Sequence, residues 1–275
     1  MRIALGLEYD GGTFCGWQTQ RAGCSVQDTL EKALSAIAGA PVSTVAAGRT
    51  DSGVHALAQV VHFDVAADRP LSAWLRGVNT LLPSAVCVHW VRAVDAEFHA
   101  RFHAVERCYR YLLLNHAARP ALFAGKVGWC HAPLQLDAMQ QAAQHLLGSH
   151  DFSAFRCSEC QAETPLRELR GAHIRQHGTL YVYEFRANAF LQHMVRNIVG
   201  CLVEVGKGKR PVSWIADVLE SRQRRFAAPT FDAAGLYFVG ACYDPKWGLP
   251  SATERPDGAT IFEQALKAIP ATRVS

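Results

Sequence analysis

The chain has 275 residues, of which 49% are hydrophobic, 19% charged and 9% aromatic, and its formal net charge is +4. That balance excludes collagen-like, coiled-coil and intrinsically disordered chains, and leaves room for one large domain or two of about 100–140 residues. No apolar run approaches the ~18–20 residues that cross a bilayer, and the first ten residues lack a signal peptide's long apolar region, so a cytoplasmic protein without membrane association is expected.

Residues 2–9 alternate apolar and polar side chains as a strand does, and stop at the turn signal Asp10-Gly11-Gly12. Ser25 is a good helix N-cap, and the stripe Val26, Leu30, Ala33, Leu34 and Ile37 predicts a helix that ends at Gly39. A short strand over 42–47, a glycine-containing loop over 48–54 and a strand from Gln59 to Val65 follow. Pro70 and Ser72 open a helix that runs to Leu82, and Val86 to Val91 reads as a strand. This β-α-β-β-α-β order is the split βαβ of ferredoxin-like and RNA-recognition folds.

A similar order recurs after about residue 104. Strands are expected at Cys108–Leu114, 126–130, 167–176, 179–187 and Gly235–Cys242, with helices at Leu136–Leu147, Phe190–Val205 and 212–221. The expected architecture is therefore α+β: two ferredoxin-like halves, residues 1–103 and 104–247, with mainly antiparallel sheets backed by helices and a ligand cleft between them. Residues 248–275, with Pro250 and Pro256, read as a tail.

The nine cysteines are scattered and odd in number, so no disulfide framework is implied. Cys157 and Cys160 form the one close pair, but a zinc site needs four ligands and no second pair lies nearby. Positive charge is concentrated in the second half: residues 104–247 carry 17 Lys/Arg against 12 Asp/Glu, residues 1–103 carry 8 against 9. Local runs at Lys207, Lys209, Arg210 and at Arg222, Arg224, Arg225 suit a polyphosphate partner, although a solvated helix end would look the same.

Three segments carry potential chemistry. The loop Ala47-Gly48-Arg49-Thr50-Asp51-Ser52-Gly53-Val54-His55 places Asp51 between hydroxyls and near Arg49, a setting in which a carboxylate stays ionised as a nucleophile or base; the same residue types also build plain turns. On the strand around Arg107, period two puts Arg107, Tyr109 and Tyr111 on one face, where they can stack on a base and hold phosphates, or simply half-bury. On the helix after Phe190, His193, Arg196, Asn197, Gly200 and Glu204 form one polar stripe in an otherwise apolar sequence, and Arg196 there wants an anionic partner, for which Asp51 is the candidate. Phe98 to Phe102 reads as a phosphate contact or an inter-domain tie. No Walker loop, dinucleotide fingerprint, zinc-protease motif or nucleophile elbow occurs.

Together with Leu7 to Gly11, Gly16-Trp17-Gln18 and Gln59 to Phe63, these segments resemble the tRNA pseudouridine synthase A family, and the likeness runs from about residue 3 to 243. The resemblance implies isomerisation of uridine to pseudouridine at positions 38, 39 and 40 of the tRNA anticodon arm, by a homodimer that uses no cofactor and no metal. It further implies that Asp51 is the catalytic aspartate, that Tyr109 packs against the target uracil, that Arg196 pairs with the aspartate and that Arg49 helps to displace the base. Extruding the uracil suits an arginine to fill the gap and an aromatic ring to stack. Two other readings of the residues stay open: a non-catalytic RNA-binding protein of two ferredoxin-like halves, and a carboxylate hydrolase acting on a small glycoside, which would need a second acid near Asp51.

Overall fold

The structure, a computed structural model, describes residues 1–250; most of the tail expected from 248 onward lies outside the described residues. The chain divides into two compact units, one of Met1–Arg107 together with the strand from Tyr237 onward, the other of Cys108–Leu236. Both are α+β with mostly antiparallel sheets.

In the first unit β1 (Arg2–Tyr9), α1 (Val26–Ala38), β2 (Val45–Ala46), β3 (His55–Asp64), α2 (Val78–Leu81) and β4 (Val86–Val94) follow the expected order. Strand β1 lies between β3 and β4, antiparallel to both. Helix α1 forms where the sequence places it. Ser25 accepts from the backbone N–H of Asp28 at 3.0 Å while the Asp28 carboxylate accepts from the Ser25 N–H, and Gly39 closes the helix at φ 70°. Such a reciprocal cap satisfies two donors that a helix start otherwise leaves open. Val26, Leu30, Ala33 and Leu34 are buried, as are Ile3, Leu5 and Leu7 of β1, each large side chain contributing on the order of 1.5–3 kcal/mol by leaving water.

The helix expected from Pro70 to Leu82 is interrupted. A π-helical turn, Ala73–Gly77, sinks Trp74 against Phe63 with ring centroids 5.4 Å apart, and only Val78–Leu81 continues as α2. Asn79 then exchanges two 2.8 Å hydrogen bonds with the backbone of Val88, which ties α2 to β4.

The second unit begins within β5 (Ala104–Asn115) and adds β6 (Gly128–Cys130), α3 (Leu136–Gln144), β7 (Gly148–Asp151), β8 (Leu166–His177), β9 (Leu180–Ala187), α4 (Met194–Gly206) and α5 (Trp214–Ser221). Its strands run in the order β5-β9-β8-β7, with β6 parallel to β5. The β8–β9 hairpin turns at His177-Gly178 as the sequence suggests, with Gly178 at φ 58°. Strand β7 was not expected.

The last strand, β10 (Leu236–Tyr243), departs from the expected plan. It pairs in parallel with β3 through Tyr237 opposite His55 and Phe238 opposite Ala56, so residues 237–243 belong to the first unit although the sequence order grouped them with 104–247. Alternation identifies a strand but carries nothing about its neighbour. Strand β2 pairs with the far end of the same β3, opposite His62 and Val61. The loop between β2 and β3 holds Asp51.

Candidate active site

The loop from Ala47 to Val54 is anchored at both ends and in its middle. Ala47 donates to the Val60 carbonyl at 2.8 Å, the Gln59 amide donates to the Gly48 carbonyl at 2.7 Å, and Val54 closes the turn on the Asp51 carbonyl at 3.2 Å with Gly53 at φ 79°. Thr50 is buried and its hydroxyl lies 2.8 Å from the phenol of Tyr9; burial drives that phenol's pKa up to about 12 despite hydrogen bonds from Thr50 and Gln59, so Tyr9 is neutral. Asp51 itself is half-buried.

A second segment buttresses this loop. Trp17 donates to the Thr50 carbonyl at 2.9 Å and the Ser52 hydroxyl donates to the Phe14 carbonyl at 3.2 Å. Gly16 sits between them at φ 99°, and a Cβ there would stand 2.8 Å from the Thr50 oxygen and 3.1 Å from Asp51 backbone carbon. Only glycine supplies both that conformation and that approach. Cys15 and Cys24 flank the segment and are joined by a disulfide, their Cα atoms 5.6 Å apart, with a turn at Gln20–Gly23 returning the chain. The odd, scattered cysteine count gave no sign of this bridge.

Three arginines surround the loop. Arg107 donates to the carbonyls of Ala47, Ala104 and Arg101, and so serves as a clamp within the first unit. Arg49 is exposed; its pKa is drawn down by partial burial and then by the positive charge of Arg101. Arg101 precedes Phe102, which is 73% exposed and stacks on His99 at 4.2 Å. The Phe98–Phe102 segment is tied to its own unit: Arg2 donates to the Phe98 carbonyl, Tyr243 to the Ala100 carbonyl at 2.7 Å, and Ala100 to the ring of His62. Burial, then the charges of His99 and Arg2, hold the His62 pKa down at about 4, so it accepts that bond as a neutral imidazole.

In the second unit, Tyr109 is buried and meets Phe190 edge to face at 5.0 Å. Tyr111, two residues on and therefore on the same side of β5, donates to the Asp232 carbonyl at 2.8 Å and packs against Phe231. Arg196 on α4 donates from Nε to the Phe231 carbonyl at 2.8 Å, and its charge reaches the Tyr111 phenol, so it lies by the face of β5 that carries Tyr109. Asn197, Gly200 and Glu204 of the polar stripe have structural roles. Asn197 is fully buried; it donates to the Phe155 carbonyl at 2.7 Å and accepts from Thr230 and Arg224. Gly200 lets the Pro229 carbonyl approach to where a Cβ would be 2.5 Å away, and Glu204 pairs with Lys207.

Asp51 and Arg49 thus share one loop of the first unit, and Tyr109 and Arg196 share one region of the second. Tyr9, Gln59, Gly16 and Arg107 complete the first region; each lies in a segment that carries the resemblance, but none is singled out there for a role beside Asp51 except Arg107, as a phosphate or base contact. Among the described residues no group of three or more His, Cys, Asp or Glu is placed to hold a metal ion, and no helix is long and apolar enough to cross a membrane.

Residues 7–103 and 142–244 match the family described as tRNA pseudouridine synthase, which takes in the Asp51 loop, β3, α4 and β10. The chain belongs to that family. A protein of Thiobacillus denitrificans named tRNA pseudouridine synthase A is 58% identical over 255 residues, 93% of this chain and 98% of the relative. Proteins of the same name from Dechloromonas aromatica and Methylobacillus flagellatus are 55% and 56% identical, covering 92% and 93% of this chain and 97% of each relative. The family match therefore reaches both units, taking in the Asp51 loop of the first and the Arg196 helix of the second, while β5 with Tyr109 lies between the two matched stretches.

Proposed function

We propose that the protein isomerises uridine to pseudouridine in tRNA, at positions 38, 39 and 40 of the anticodon arm, with Asp51 as the reacting carboxylate. The observation that carries this reading is the family match, which extends through the Asp51 loop and α4 alike. Relatives of 54–58% identity bear the name of that enzyme, which favours it over the non-catalytic RNA-binding protein and the small-glycoside hydrolase that the motifs alone also allowed.

The chemistry matches the residue types. The N1–C1′ bond breaks, the uracil turns, a C5–C1′ bond forms, the C5 proton leaves and N1 gains one. Substrate and product are isomers; no water is consumed and no electron is transferred. One carboxylate is sufficient, whether it attacks C1′, adds to C6 of the ring or takes a sugar proton. In this reading Tyr109 packs against the target uracil, Arg196 is the charge partner of Asp51, and Arg49 helps to displace the base from its stack. The anchoring of the Asp51 loop by Thr50, Gln59 and Trp17 supports such a role, because a reacting group must be held before substrate arrives. The protein is further proposed to act in the cytoplasm as a homodimer.

Incubation with an unmodified tRNA transcript tests the reading. Alkali-resistant carbodiimide adducts should form at 38–40, and before derivatisation there should be no change in RNA mass and no free uracil. Unchanged uridines at all three positions, or released base, would refute it.

A further inference from the structure

Within the second unit a cavity of about 410 Å³ opens beside the start of α4. It is lined by Arg156 and Ser158 of the segment 153–158 together with His193, Arg224 and Thr230. No carboxylate lines it. Each guanidinium is held by neutral groups. Arg156 donates from Nη2 to the carbonyls of Cys160 and Ala162; Arg224 donates from Nη2 to Asn197 Oδ1 and Thr230 Oγ1, both at 3.1 Å, and from Nη1 to the Ala227 carbonyl at 3.3 Å. Among the described residues neither has a carboxylate partner. Carbonyls fix the orientation of a guanidinium without cancelling its charge, so two fixed cations lining one cavity attract an anion with several acceptor oxygens. Thr230 also leads directly into Phe231, whose carbonyl holds Arg196, and His193 lies one helical turn before Arg196. An occupant of the cavity is therefore next to the arginine assigned to the reaction.

We propose that this cavity binds a phosphodiester of the RNA substrate, adjacent to the target uridine, through Arg156 and Arg224. The assignment rests on the tRNA reading above. It adds a site that neither the Asp51 loop nor the β5 face contains. Because phosphate contacts position a nucleic acid without reading its sequence, the site serves register, not base choice.

The test compares tRNA binding by the intact wild type, Arg156→Gln and Ser158→Glu over a salt series, with Arg175→Gln on exposed β8 as the control for general charge loss. Arg156→Gln should weaken binding about tenfold and flatten the slope of log K against log salt by about one. Ser158→Glu, which removes no bond that holds the fold, should weaken binding at least as much, and Arg175→Gln much less. In parallel, alkylation of Cys157, which also lines the cavity, should slow when tRNA is bound and, at matched ionic strength, when inorganic phosphate replaces chloride. Affinities of Arg156→Gln and Ser158→Glu equal to that of Arg175→Gln overturn the proposal. So does protection of Cys157 by inorganic phosphate but not by tRNA, which would mark a free-phosphate site. A wild type that makes no pseudouridine, yet loses tRNA affinity in these variants, would refute the activity and leave the phosphate site standing.

Discussion

The Asp51 loop and the start of α4 satisfy their polar groups in opposite ways. Around Asp51, buried neutral partners hold the backbone: Tyr9 on Thr50, Gln59 on Gly48, Trp17 on the Thr50 carbonyl, with Gly16 permitting the approach. Around α4, carbonyls and one buried amide hold cations: Arg196 on Phe231, Arg224 on Asn197 and Ala227, Arg156 on Cys160 and Ala162. The first arrangement fixes the position of a single acid. The second fixes positive charges, and those of Arg156 and Arg224 have no carboxylate partner among the described residues. Units with related element orders therefore carry different tasks, and the difference lies in what their rigid hydrogen bonds leave over.

Substitutions sharpen the contrast. The largest loss of stability is expected from Asn197→Ala, which strips the donor from the Phe155 carbonyl and the acceptor from Thr230 and Arg224 in a fully buried place. Urea unfolding should show a loss of about 2–3 kcal/mol, and Arg224 should lose its orientation. A loss under about 0.5 kcal/mol would mean that the α4 region is not held in this way.

Gly16→Ala is next. It forces a Cβ towards the Thr50 and Asp51 backbone at a positive φ, so kcat should fall on the order of a hundredfold while tRNA affinity changes little. Equal losses of affinity and turnover would show that the loop serves binding as much as chemistry. Tyr9→Phe removes one hydrogen bond beneath the same loop and should cost about 1 kcal/mol, read as a small decrease in Tm, with a several-fold decrease in kcat.

How much of this was legible in the sequence follows the range of each interaction. Helix α1 was, because Ser25, Asp28 and Gly39 are local signals and all three act as caps. The β8–β9 hairpin was, through His177-Gly178. The Asp51 loop stood out through the string from Gly48 to His55. Helix α4 begins at Met194 instead of Phe190, because His193 takes a left-handed conformation at φ 64° that apolar periodicity does not report. Strand β7, Gly148–Asp151, has four residues and no apolar side chain, too short to alternate visibly. The parallel pairing of β10 with β3, the Cys15–Cys24 bridge and the Arg156–Arg224 cavity all join residues whose proximity depends on the fold, and no local pattern encodes them. The stripe on α4 was correctly seen as polar, but the sequence could not say that Asn197 faces inward.

A further expected effect concerns acid. His62 is neutral in the folded first unit with its pKa near 4, whereas an exposed histidine titrates near 6.5. Between those values the unfolded chain takes a proton that the folded chain refuses, so titration of His62 costs nothing above about pH 6.5 and progressively opposes folding as pH falls towards 4. His62→Gln should lose less Tm than the wild type over that interval; an identical decline would remove His62 from the account.

The most direct test pairs two measurements on Asp51→Asn: equilibrium binding of an unmodified tRNA transcript, and single-turnover pseudouridine formation at positions 38–40. Binding within about threefold of wild type together with a loss of turnover of about 10⁴-fold or more is the predicted result. Turnover within tenfold of wild type would show that the Asp51 carboxylate does not perform the reaction, whatever else the loop contributes.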